Sequence, residues 1–309
     1  MKVVTPESIG RALEENIPQL AYVLPTDVAQ ALEQARQHET NRYAVQALDL
    51  LLENASIAAT DSVPLCQDTG TTWVCLEVGP DIVVPGNVFS RVNEGVAHAY
   101  VDGKLRKSVV KDALFNRENT QNNTPAFTDI HFVDEPGVCR LHIMLKGGGS
   151  DNASRVVMLA PGAGRKGIVD EVIKCVREKA ANACPPLVVG VGVGGTFDKV
   201  AGLAKQALMR PVGAPAADAD HAVFEQELLD AINATGVGAA GFGGDTTALT
   251  VRVETAPCHI AALPVAINLG CSAMRRCTIE LQPQEIDTLQ QLAALMTSAN
   301  ENEQGACHE

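Results

Sequence analysis

Aromatic residues are scarce, at 4% of the 309 residues with a single tryptophan. Apolar contact must therefore come from Ala, Val, Gly and Leu, which favours closely packed α/β layers over an aromatic-rich sandwich. Positive charge is also short, with 24 Lys and Arg against 37 Asp and Glu for a net charge of −13. That balance disfavours a nucleic-acid partner, whose phosphates are bound by clustered cations. No apolar run reaches the roughly 18–20 residues needed to span a bilayer. Lys2, Val3, Val4 and a Pro-Glu-Ser helix start follow Met1, where a secretory leader would show an apolar stretch. The expectation is a cytoplasmic protein without a membrane partner.

Periodicity supplies the fold class. Residues 5–57 repeat apolar positions at three- and four-residue steps, and Thr5-Pro6 suits a helix start, so the chain is expected to open with a helical N-terminal part, 1–60. The 63–80 stretch reads as a turn-rich loop feeding a strand, followed by a helix near 88–101. Residues 126–146 read as two strands around an Asp-Glu-Pro-Gly turn. Beyond them, SRVVMLAP, LVVGVGVGG, TALTVRVETA, LPVAINLG and CTIELQP read as strands. Helices are expected over about 167–181, 197–210, 219–235 and finally 285–299. The class is α/β (mixed α+β): a helical N-terminal layer followed by mixed sheets with covering helices. Residues 61–298 form the main domain, continuous with the first part, and 299–309 a polar tail.

Nine cysteines, an odd number, argue against a disulfide framework and for metal or catalytic use. Cys75, Cys139 and Cys175 lie in apolar strand or helix patterns and read as core. Cys66, Cys184 and Cys271 instead sit at junctions flanked by Gly or Pro, where a thiolate can leave its element and enter a shared space. No C-x-x-C spacing occurs, so spacing alone leaves open whether these three bind metal.

Four segments occur in order: VPLCQDTGT (63–71), KGGGSDN (146–152), NACPPLVVGVGVGGT (182–196) and LPVAINLGCSA (263–273). Together they resemble the N-terminal domain of class I fumarate hydratases and the related tartrate dehydratase α subunits. The resemblance implies that Cys66, Cys184 and Cys271 hold a [4Fe–4S] cluster whose fourth iron faces the substrate. It further implies Gln67 beside the substrate, Asp68 and His259 in catalytic positions, Arg106 gripping a carboxylate, and Gly147, Gly148 and Gly149 approaching an anionic ligand through the backbone. Asp245-Thr246-Thr247 are candidates for a pocket wall. Residues that act as base lie, in the family, in a second domain, so a separate β subunit and an α2β2 assembly are implied.

The reaction implied is interconversion of a small hydroxy-dicarboxylate and its unsaturated product, malate to fumarate plus water in the leading case and L(+)-tartrate dehydration as the alternative. KGGGSDN favours the former, and Arg275-Arg276 leans toward the latter. Two other classes stay open on the residues alone. The run VVGVGVGGTFDKVAGLAKQAL could form a strand, glycine turn and helix for a nucleotide, though it lacks a clean G-x-G-x-x-G. Three cysteines could equally serve an iron–sulfur redox sensor without hydratase activity.

Overall fold

The computed structural model describes residues 1–288 and 290–292. The final helix expected over 285–299 lies for the most part outside the described residues, as does the tail 299–309. In chain order the helices are α1 (Pro6–Tyr22), α2 (Thr26–His38), α3 (Arg42–Asp61), α4 (Val92–Asp102), α5 (Gly148–Asn152), α6 (Gly164–Lys179), α7 (Lys199–Ala207) and α8 (Ala219–Asn233). The strands are β1 (Lys2–Val3), β2 (Thr71–Val78), β3 (Ile82–Val83), β4 (Phe127–Phe132), β5 (Cys139–Lys146), β6 (Arg155–Leu159), β7 (Leu187–Gly195), β8 (Ala248–Cys258), β9 (Leu263–Gly270), β10 (Arg275–Glu280) and β11 (Gln284–Glu285). This is the mixed α/β class that the periodicity indicated. No described helix is long and apolar enough to cross a membrane.

Local chemistry fixes several helix starts. Thr5 Oγ1 accepts from the Ser8 amide ahead of α1, Asn41 accepts from the Tyr43 amide at α3, and Asp218 accepts from the His221 amide at α8. Each side chain satisfies a donor that the first helical turn leaves open.

The chain folds into two compact units. The first comprises Met1–Tyr22, Cys66–Leu145 and the described residues from Arg275 onward. Its main sheet has the order β10-β5-β2-β4. The two strands expected around the Asp-Glu-Pro-Gly turn are present but do not pair with each other. Instead β2 lies between them, pairing in parallel with β4, while β5 pairs antiparallel with β10. Helices α1 and α4 cover this sheet through Leu13, Ile17, Val96 and Tyr100, packed on Val74, Leu76, Leu141 and Ile143. A small second sheet, β11-β1-β3, joins distant parts of the chain.

The second unit, Val23–Leu65 and Lys146–Met274, is built on the sheet β6-β9-β7-β8. Alternate residues of β7 face opposite sides. Val189 and Val191 join the core beneath α6 and α8. Gly190 and Gly192 face α7, where an added Cβ would fall 2.2 Å from the Ala204 carbonyl oxygen and 2.4 Å from that of Val200. The glycine run therefore lets a helix lie close on a strand. Gly190 and Gly192 are thus used in packing rather than in a turn.

Two buried carboxylates organise this unit. Glu39 accepts backbone N–H groups from Thr40, Asn41, Asp245 and Thr246, so Asp245 and Thr246 belong to a structural clasp. Glu225, 4% exposed, pairs with Arg210 at 2.6 Å and Arg252 at 3.3 Å and accepts the Val253 amide at 2.8 Å. Removing one member of a buried ion network costs more than forming it gained. Glu225→Ala is expected to lower the unfolding free energy of the chain by about 3–5 kcal/mol, read from the urea midpoint by far-UV circular dichroism. A loss below about 1 kcal/mol, typical of exposed pairs, would show that the network is not a stabilising centre.

Candidate active site

In the first unit, residues 66–70 form a loop leading into β2. Cys66 and Asp68 are partly exposed and Gln67 is exposed, while Thr69 and Gly70 are buried. The Cys66 thiol donates to Gln67 Oε1 at 3.0 Å, and Asp68 Oδ1 accepts the Gly70 amide at 3.0 Å, closing a tight turn. Three side chains pin the loop from below. The Tyr100 hydroxyl donates to the Gly70 carbonyl at 3.0 Å, Asn123 Nδ2 donates to the same oxygen at 3.1 Å, and Thr69 Oγ1 donates to the Arg106 carbonyl at 2.8 Å. The last bond sets Arg106 beside the loop. Its side chain is exposed and forms no hydrogen bond or ion pair among the described residues.

Arg275 stands at the start of β10, and no sequence pattern marks it for the site. It is 1% exposed, and its Nε and Nη1 have no hydrogen-bond partner among the described residues. Tyr100, whose phenol burial pushes up to about 12, lies within electrostatic reach of both Arg275 and Asp68. A buried guanidinium without an anion is costly. The first unit thus holds a buried guanidinium near the loop that carries Asp68.

In the second unit, three segments meet at one end of the sheet. Cys184 is exposed, in a left-handed backbone conformation between α6 and β7, and Cys271 directly follows β9. The Ser272 amide donates to the Cys184 carbonyl at 3.0 Å, tying these two loops together. The triple glycine arrives at the same end. Gly149 packs so closely that an added Cβ would lie 3.3 Å from the Asn182 carbonyl oxygen.

Lys146 welds the glycine turn to the Cys271 loop. It is 2% exposed, and its Nζ donates to the Leu269 carbonyl at 2.8 Å and to Ser150 Oγ at 3.0 Å, with Asp151 at 3.4 Å. Ser150 Oγ in turn donates to the Gly147 carbonyl, and Ser154 Oγ accepts the Leu269 amide. Burial draws the Lys146 ammonium below the ordinary lysine range, against the opposing pull of Asp151 and Cys271. The available signal for Lys146 was its position at the polar end of the buried strand HIMLK.

His259 is not gathered with this group. It lies in the turn after β8, exposed, with Nδ1 accepting the Ala261 amide at 3.1 Å. Cys258 registers with Gly195 at the far end of β7, whereas Gly270 registers with Val188 at its start. The nine residues of β7 separate these ends by about 26 Å at roughly 3.3 Å per residue. Within one chain, the sheet keeps His259 away from Cys184 and Cys271.

The family model for fumarate hydratase (Fumerase) matches residues 11–280. The chain belongs to the fumarate hydratase family, and it is a hydro-lyase. The chain is 40% identical over 275 residues, 87% of this chain and 95% of the relative, to a putative L(+)-tartrate dehydratase subunit alpha from Methanocaldococcus jannaschii. It is also 30% identical over 261 residues to an L(+)-tartrate dehydratase subunit alpha from Escherichia coli strain UTI89, covering 84% of this chain and 86% of the relative.

The cysteines divide by environment. Among the described cysteines, burial pushes the Cys75 thiol up to about 12 and those of Cys139 and Cys175 up to about 11, whereas Cys184 and Cys258 are exposed and Cys66, Cys271 and Cys277 are partly exposed. Alkylation proceeds through the thiolate. Brief iodoacetamide treatment of the chain at neutral pH is expected to label Cys184 and Cys258 first among the described cysteines. Cys75, Cys139 and Cys175 should react only after denaturation, as read by peptide mass spectrometry. Equal labelling of Cys75 and Cys184 in the native chain would contradict this division.

Proposed function

We propose that this chain is the cluster-carrying α subunit of a [4Fe–4S] hydro-lyase that interconverts a hydroxy-dicarboxylate and its unsaturated product. The observation that carries the reading is the pairing of two accessible thiols, Cys184 and Cys271, with a glycine turn anchored by a buried lysine. Cys66, accessible beside Gln67 and Asp68, would be the third sulfur donor. That donor chemistry fits a cubane with one iron left open. When bound, the cluster would supply Lewis acidity at the iron without a protein ligand.

The chain's own residues would do the rest. Arg106, exposed and without an ion pair, would hold a substrate carboxylate through two parallel donors. Gln67 would orient the substrate, and the amides of Gly147, Gly148 and Gly149 would approach its negative oxygens. Asp68 would hold or transfer a proton at its carboxylate, and the buried charge of Arg275 would add to the potential that attracts a dianion. The placement of His259 leaves it outside this group within one chain. The remaining base is proposed to come from a separate β subunit, in keeping with the α-subunit names of the relatives.

Malate and fumarate lead as substrates on the family's reaction. L(+)-tartrate is the second reading, favoured by the relatives' names. Comparison of kcat/KM on malate, fumarate and L(+)-tartrate by the anaerobically assembled two-subunit enzyme decides between them.

Replacing Cys66, Cys184 or Cys271 by Ser is expected to abolish cluster binding, while Cys175→Ser leaves it in place. Iron and sulfide content per chain is the measurement, and a full complement of iron in any of the first three variants refutes the ligand set.

Arg106→Ala should lose a charge-assisted contact of about 2–5 kcal/mol, roughly 30- to several-thousand-fold in kcat/KM, with iron content unchanged. Arg106→Lys keeps the charge but not the planar fork and should recover only part of that loss. Activity of Arg106→Ala equal to the parent on every diacid would remove Arg106 from the site.

A further inference from the structure

Residues 109–120 form a hairpin that projects from the first unit, and its tip breaks the usual rule for exposed apolar residues. Leu114 is 73% exposed and Phe115 90% exposed, side by side at the turn. A lone exposed apolar residue is ordinary, but two large ones held rigidly outward mark a contact surface. The tip is rigid. Asp112 accepts the amides of Leu114, Phe115 and Asn116, its own amide donates to the Asn116 carbonyl at 2.9 Å, and Arg117 Nη1 donates to the Ala113 carbonyl at 2.7 Å. Below the tip, Lys111 pairs with Glu118 at 2.9 Å and Val110 bridges Asn119.

The root of the hairpin stands on the substrate loop. The Ser108 amide donates to Asn123 Oδ1 at 2.7 Å, and Asn123 Nδ2 donates to the Gly70 carbonyl at 3.1 Å. Arg106 lies two residues before Ser108. The hairpin that carries the tip is therefore anchored at its root to the loop that carries Asp68.

Charge narrows the occupant. Residues 104–118 hold five cations (Lys104, Arg106, Lys107, Lys111, Arg117) and two carboxylates (Asp112, Glu118), in a chain of net charge −13. A symmetric contact between two copies through this segment would set like charge on like charge, because an isologous interface presents the same patch from both sides. The segment suits instead a different protein with an apolar socket rimmed by carboxylates.

We infer that the Leu114–Phe115 tip is the docking point for the companion β subunit, seating that subunit next to the substrate loop. The inference rests on the two-subunit reading above. A preformed apolar tip loses little entropy on binding, and a buried Phe is the kind of residue that dominates such interfaces.

The test uses the full chain and the β subunit encoded with it, purified separately without oxygen and titrated against each other by biolayer interferometry. The parent chain should bind. Leu114→Ser with Phe115→Ser should weaken the complex by on the order of 30- to 100-fold, while circular dichroism and iron content stay at parent values. Asp112→Ala keeps both apolar side chains but frees the turn, and should weaken binding several-fold. Val223→Ser, at an exposed apolar residue on α8, should bind as the parent does. Parent-like affinity of the double variant overturns the inference, as does loss of a homomeric contact with β-subunit binding intact. A parent chain that binds no β subunit removes the two-subunit reading, and the docking point falls with it.

Discussion

The arrangement at the cysteine-bearing end of the second unit depends on one buried cation. Lys146 carries an ammonium group into a place where 2% of the residue is exposed, so its three donors must be met by protein oxygens. The Leu269 carbonyl, Ser150 Oγ and Asp151 meet them, and in doing so fix the glycine turn to the end of β9. Cys271 follows two residues later, and the bond from the Ser272 amide to the Cys184 carbonyl carries the restraint to the next loop. Partial loss of that bonding would leave a desolvated charge, so the loops are set together or not at all.

The sequence made the local elements legible because their signals are local. The apolar run of β7, the helical periods of α1, α6 and α8, and the core placement of Cys75, Cys139 and Cys175 all follow from pattern. Pairing was less accessible. The strands on either side of Asp-Glu-Pro-Gly look like neighbours, yet β2, far earlier in the chain, comes between them. Nothing in residues 126–146 announces that, since a parallel partner is chosen by the core it helps to bury. For the same reason α1 joins one unit while α2 and α3 join the other, although all three read as one helical layer.

The candidate site was legible in its loops and not in its supports. Gly- and Pro-flanked cysteines stand out in a string of letters, whereas Lys146 and Arg275 look like ordinary surface residues until burial is known. His259 shows the converse limit. A motif match carries a residue's identity but not the end of the sheet on which it falls, and here β9 carries the chain the length of the sheet between His259 and Cys271.

The small sheet that joins Lys2 to Glu285 through β1 and β11 has a consequence for synthesis. At about 5–20 residues per second, some 280 residues separate the two partners by on the order of 15–60 s of translation. During that interval β1 lacks its antiparallel neighbour, and β5 likewise waits for β10. The first unit is thus finished last, after the second has been made whole, and the loop that carries Cys66 leads into a sheet that stays open on one side until then. On the cluster reading proposed above, the ordering favours loading after release from the ribosome, when the clasp between the two distant strands has closed.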